Sequence, residues 1–119
     1  MKLLTILKSK IHGAYVTEAN VDYVGSVEID RDLIDASGLV IGELVHIWDV
    51  DNAARLETYV IEAPRGSKRI AINGAAAKRV EVGHKVIIAS FVLTDEPITP
   101  QIVVVNRENE IDSKWLQKR

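Results

Sequence analysis

Ser26 directly follows Gly25, and a serine hydroxyl so placed can attack the carbonyl carbon of the residue before it. The product of that N-to-O acyl shift is an ester in place of the peptide bond. Glycine offers the least crowded carbonyl and tolerates strained backbone angles. Elimination from the ester leaves dehydroalanine, whose hydrolysis leaves a pyruvoyl group at a new N-terminus. Alone, a Gly-Ser pair marks a turn far more often than a reaction. The case for chemistry therefore rests on what accompanies it.

Other chemistries find little support. The chain has no cysteine, which excludes disulfides, thiolate catalysis and Cys-ligated zinc and fits a reducing compartment. His12, His46 and His84 lack the i, i+4 spacing of a helical zinc pair, so no metal is expected. Gly66 and Gly74 stand alone, without a phosphate-binding loop around them, and no G-x-S-x-G elbow occurs. Glu28, Asp30, Asp32 and Asp35 read as a solvated helix entrance favoured by the helix dipole.

The elements that must position Ser26 are mostly strands. Val27 and Ile29 alternate with Glu28 and Asp30, the period of a half-buried strand. Further strands are expected over residues 3–11 (with 15–17 as a continuation past Gly13), 44–50, 56–63, 70–72, 85–93 and 102–105. A short helix is expected over 30–37, with Asp30 as N-cap and Gly38 as terminator. The Ala-rich stretch at 75–79 reads as one or two helical turns. Residues 106–119 are polar and are expected to be loosely held.

With 119 residues, 47% of them apolar, the chain is expected to form a single domain, residues 1–119. Its fold class is mainly β: a small closed β-barrel with two short helices, closure being the way a small sheet avoids exposed edges. The formal net charge of −2 shows neither a nucleic-acid footprint nor a polybasic membrane surface. No stretch approaches ~20 apolar residues, and the start lacks a signal-peptide pattern, so no membrane is involved and a cytoplasmic protein is expected. Pattern alone thus allows a binding module, such as a DNA-binding regulator, although the charge argues against DNA.

Several motifs in one order point further. They are Lys10-Ile11-His12, Tyr23-x-Gly25-Ser26, Ile47-Trp48, Arg55-x-x-Thr58-Tyr59, Arg65-Gly66-Ser67, Ile72-Asn73-Gly74-Ala75-Ala76-Ala77 and Val86-Ile87-Ile88-Ala89. In these the chain resembles the aspartate 1-decarboxylases, small pyruvoyl-dependent enzymes of pantothenate biosynthesis, from the N-terminus to about Leu93. The tail beyond carries no motif that aligns. Lys68 and His84 stand where many relatives carry glycine and an acid, and both read as surface variation.

The resemblance implies a double-psi β-barrel, a cytoplasmic homotetramer with sites near subunit interfaces, and autocatalytic cleavage into residues 1–25 and 26–119. It implies decarboxylation of L-aspartate to β-alanine, with the covalent pyruvoyl group from Ser26 as cofactor and electron sink. A relative that cleaves poorly and serves a structural role is the remaining alternative. Arg55 would grip the carboxylate that stays, since a guanidinium can do so through two parallel hydrogen bonds. Lys10 would be a second cation, and Trp48 part of an apolar wall for the carboxylate that leaves. Tyr59 would be the proton donor. Thr58 would assist cleavage at Gly25, or bind substrate, but a regular strand sends neighbours to opposite faces, so Thr58 and Tyr59 conflict unless the strand bulges. Asn73, Gly74, Ala75 and Ala76 would form a substrate-binding loop whose small side chains let backbone N–H groups approach an anion. His12 and Tyr23 are lesser candidates near the processing site. No residue specifies a maturation factor.

Overall fold

A computed structural model describes residues 1–112 of the chain. Eight strands and two short helices follow in the order β1 (Leu4–Tyr15), β2 (Glu18–Asn20), β3 (Ser26–Asp30), α1 (Arg31–Ser37), β4 (Leu44–Asp49), β5 (Arg55–Ala63), β6 (Ile70–Asn73), a 3-10 helix (Gly74–Arg79), β7 (Lys85–Thr94) and β8 (Gln101–Val104). The fold is mainly β, as the alternation predicts. The sheet runs β2-β6-β3-β5-β4-β7-β1-β8. It is mixed, with β1/β8, β2/β6 and β3/β5 parallel and the remaining pairs antiparallel.

One continuous stretch serves both ends of that order. Strand β1 lies beside β7 and β8, and two residues later the chain pairs with β6 as β2. Between them, the Val16 N–H donates to the His84 carbonyl at 3.0 Å and the Thr17 N–H to that of Ile70 at 2.8 Å. The sheet thereby wraps a single core that includes Ile11, Val27, Ile29, Ile47, Val60, Ile72 and Ile88, all without solvent exposure. Side chains one position along face outward, and the candidate site is built from these.

Sequence logic holds best at α1. Asp30 caps it by accepting the Asp32 N–H at 2.9 Å, and Gly38 ends it in the left-handed conformation, its N–H on the Ile34 carbonyl. Strand β2 escapes the pattern because Glu-Ala-Asn has neither β-branched residues nor apolar alternation. The Ala-rich stretch is helical but wound as a 3-10 helix.

The expectation of a loose tail is corrected over residues 106–112. Asn109 is buried. Its side-chain carbonyl accepts the Tyr15 N–H at 2.7 Å, and its amide donates to the carbonyls of Tyr15 and Lys68, both at 2.9 Å. The amide thus serves as the neighbour Tyr15 lacks on its β8 side, opposite Lys85 of β7, and Val105 bridges Ile111 beyond it. Residues 113–119 lie outside the described residues. Lys68 adopts φ +60°, a conformation that explains why glycine suits its position.

Candidate active site

The chain passes abruptly from solvent to interior at the Gly25-Ser26 bond. Val24 is 83% exposed, while Ser26, the first residue of β3, is 2% exposed. Ser26 pairs with Asn73 across β3 and β6. The Asn73 side-chain N–H donates to the Ser26 hydroxyl at 3.0 Å. Gly74 follows with φ +75°, so close behind Gly25 that a Cβ there would stand 2.6 Å from the Gly25 Cα. Asn73 and Gly74 therefore form a cradle behind the Gly25-Ser26 bond. Their small, polar composition leaves room for Gly25, a contact the sequence did not disclose.

From Arg55 to Val60 of β5 the alternation is unbroken. Thr58 is half-buried on the Val60 side, and Tyr59 faces out at 39% exposure. The pairing of β5 with β4 runs without a shift, so no bulge brings the two to one face. The parallel pairing Val27↔Val60, carried back one residue, sets Ser26 level with Tyr59. Both residues face away from the core, on strands ~4.8 Å apart.

The remaining candidates occupy another part of the outward face. Arg55 lies over the Trp48 ring, 4.9 Å from its centre, as their register pairing requires. Lys10 and His12 project from β1 beside Ile102 and Val104 of β8 and line a cleft of about 390 Å³. Larger clefts, of about 540 Å³ beside Arg31 and Arg65 and about 510 Å³ between Tyr15, Lys68 and Arg107, lie away from Ser26. Tyr23 is exposed in the loop before Gly25. Ala75 is exposed and Ala76 half-buried at the start of the 3-10 helix.

Two expectations need correction. Asp30 is not solvated: it is buried and also accepts the N–H groups of Gly66 and Lys68, at 3.0 and 2.8 Å. Glu28 is half-buried and paired with Arg69 at 3.0 Å. Only Asp32 and Asp35 behave as surface acids, both bound by Arg65. In each case the partners come from β6 or the turn before it, beyond the reach of local reasoning.

His84 is not mere surface variation. Its Nδ1 lies 2.6 Å from the buried Asp49 carboxylate. With Asp51, these residues bring possible ligand atoms within 4.8 Å of one another. The oxygens are already engaged: Asp49 accepts the N–H groups of Asp51 and Asn52, and Asp51 accepts that of Lys85. The cluster thus ties the β4–β5 turn to β7. The Asp49 hydrogen bond raises the His84 pKa, aided by the charges of Asp49, Asp51 and Glu81 against partial burial. Burial, then Lys10 and Lys85, lower that of His12.

A proton held more tightly in the folded state stabilises it below the ordinary imidazole pKa of about 6.5, and that stabilisation fades as pH rises through the raised value. His84→Ala should therefore lower the Tm more at pH 6 than at pH 9. Imidazole NMR titration should place His84 above, and His12 below, the ordinary value. Equal Tm losses at both pH values would refute the linkage.

Residues 1–112 match the sequence profile of aspartate decarboxylase. The chain belongs to the aspartate decarboxylase family. The match runs past Leu93, farther than the motifs reached. An aspartate 1-decarboxylase from Hyphomonas neptunium is 49% identical over 113 residues, spanning 92% of this chain and 96% of its own. That from Carboxydothermus hydrogenoformans is 49% identical, over 91% and 88%. That from Caldicellulosiruptor saccharolyticus is 50% identical, over 92% and 88%. Among the described residues no helix is long and apolar enough to cross a membrane.

Proposed function

We propose that this chain is a pyruvoyl-dependent aspartate 1-decarboxylase, a carboxy-lyase that makes β-alanine and carbon dioxide from L-aspartate for pantothenate synthesis. It first cleaves itself at Gly25-Ser26 into residues 1–25 and 26–119. The observation that carries this is the buried Ser26 hydroxyl, held by Asn73 where an exposed loop enters the sheet. Space for the group to form fits as well, since Gly74 closes on Gly25 without a side chain.

The pyruvoyl carbonyl, once formed from Ser26, supplies the electron sink for the charge left by departing carbon dioxide. The chain's residues bind and protonate. Arg55 holds the carboxylate that remains, its guanidinium already placed over the Trp48 ring, and Lys10 adds a second positive charge. Trp48 keeps water from the carboxylate that leaves. Tyr59, level with Ser26, delivers the proton from its phenol. Thr58, which the β3–β5 register carried back two residues sets level with Gly25, belongs to the cleavage step, and Gly74, Ala75 and Ala76 present backbone N–H groups to the substrate.

A cytoplasmic homotetramer belongs to the same proposal. Ser26 on β3 and Lys10 on β1 are four strand spacings apart, on the order of 19 Å along the sheet. A second copy would supply the set that one chain keeps distant. Exposed Leu44, Tyr59 and Phe91 on the outward face give such a contact apolar area. The stretch from β1 into β2, shared by both ends of the strand order, supports closure as a double-psi barrel.

Denaturing mass spectrometry tests the proposal. Purified protein should yield a fragment ending at Gly25 and a partner beginning with a pyruvoyl-blocked residue 26, and should form β-alanine from L-aspartate. A chain still intact after prolonged incubation, with no β-alanine, would sink it.

A further inference from the structure

Around Ser26 the outward positions of β2, β6 and β3, with Arg69 just before β6, close a ring of side chains. Arg69 reaches Glu18 at 2.7 Å and Glu28 at 3.0 Å. The Asn20 side-chain N–H group donates to Glu18 at 3.3 Å and to the Asn73 side-chain carbonyl at 3.4 Å. Asn73 completes the circuit by donating to Glu28 at 3.4 Å as well as to Ser26 at 3.0 Å. Strand pairing dictates this assembly: Asn20 and Ser26 are both register partners of Asn73, and Glu18 and Glu28 of Ala71. Ala71, without solvent exposure, is the small floor that the ring spans.

The ring has a polarity. An ionised carboxylate only accepts hydrogen bonds, so Glu18 turns the Asn20 amide with its N–H group inward. Asn20 in turn meets the Asn73 carbonyl, and Glu28 meets the Asn73 N–H group. Reversing Asn73 would set its oxygen against the Glu28 carboxylate and its N–H group against that of Asn20. Arg69 holds both carboxylates in place.

We infer that this ring, through Asn20, Glu28 and Arg69 as positioning residues, fixes the Asn73 amide so that it donates to Ser26 and aims the hydroxyl for self-cleavage. The inference rests on the processing step proposed above. With Asn73 donating to Oγ, the hydroxyl's own proton points elsewhere and a lone pair remains for attack. The Oγ–C bond to the Gly25 carbonyl then forms and the C–N bond breaks. The hydroxyl proton ends on the Ser26 nitrogen, giving an ester and a free amine.

Asn20→Asp tests this at nearly constant shape. An acceptor at residue 20 should draw the Asn73 N–H group away from Ser26 and slow cleavage roughly tenfold or more, since small misplacements of reacting groups carry such penalties. Glu28→Gln, which removes a charge where the first variant adds one, should slow it likewise and serves if Asn20→Asp fails to fold. Rates are followed by mass spectrometry, with Tm recorded beside them. In an Asn73→Ala background, either change should alter the residual rate by less than about twofold, the signature of action through that amide. Wild-type rates in both variants, or slowing that persists undiminished without the Asn73 amide, would overturn the inference while wild-type cleavage leaves the processing proposal standing. A wild-type chain that never cleaves would remove both.

Discussion

Ser26→Ala should give a folded, full-length chain that neither splits nor releases β-alanine. The substitution removes the only atom of residue 26 that can open the Gly25 carbonyl, so cleavage should be abolished. Decarboxylation goes with it, because the pyruvoyl group has no other source. The fold should survive. Among the described residues the Ser26 hydroxyl has one side-chain partner, Asn73, whose N–H group keeps the Glu28 carboxylate at 3.4 Å. Losing one such hydrogen bond costs about 1 kcal/mol. Valine, isoleucine and leucine in the core do not depend on it. A full-length mass, a Tm lowered by only a few degrees and no β-alanine together form the expected result. Fragments divided at residue 25 in the variant would show that another nucleophile opens the bond.

That expectation could be formed from sequence because both of its parts are local. The dipeptide states the chemistry, and the alternation of Val27 and Ile29 places it at the head of a strand. The caps Asp30 and Gly38 were legible for the same reason: each acts on residues within a turn of itself. What was not legible depends on pairing between distant segments. The ring around Ser26 draws on residues 18, 20, 28, 69 and 73, which become neighbours only when β2 and β3 flank β6. Asp30 misled for a related reason. An aspartate at a helix entrance is ordinarily solvated, but here Gly66 and Lys68 fold over it and donate their N–H groups. Thr58 and Tyr59 were legible as a conflict, and the unbroken pairing of β5 resolves it by putting them on opposite faces. The family motifs supplied names for roles. They did not show that the Asn73 side chain addresses the serine itself.

Gly74→Ala should be the most disruptive single-methyl change near the site. Two separate costs arise. A non-glycine residue at φ +75° pays roughly 1–2 kcal/mol of backbone strain. The added Cβ would also stand 2.6 Å from the Gly25 Cα, 2.8 Å from its nitrogen and 3.1 Å from the Tyr23 carbonyl oxygen. These are backbone atoms, so no rotamer change relieves the clash, and overpacking of this kind costs about 1–3 kcal/mol. The segment with most freedom to yield is the exposed one holding Val21, Tyr23 and Val24. If it yields, the Gly25 carbonyl moves off the Ser26 hydroxyl, and a displacement near 1 Å can slow reaction about 100-fold. If it holds, stability falls by the sum of the two costs. Gly66→Ala separates strain from contact: its φ is +79° and nothing lies within 4 Å of the new Cβ. That variant should lose about 1 kcal/mol and cleave normally. Thermal melts and cleavage time courses of the two variants decide the matter. A Gly74→Ala chain that melts with the Gly66→Ala chain and cleaves at the wild-type rate would show that close approach at Gly25 has no part in processing.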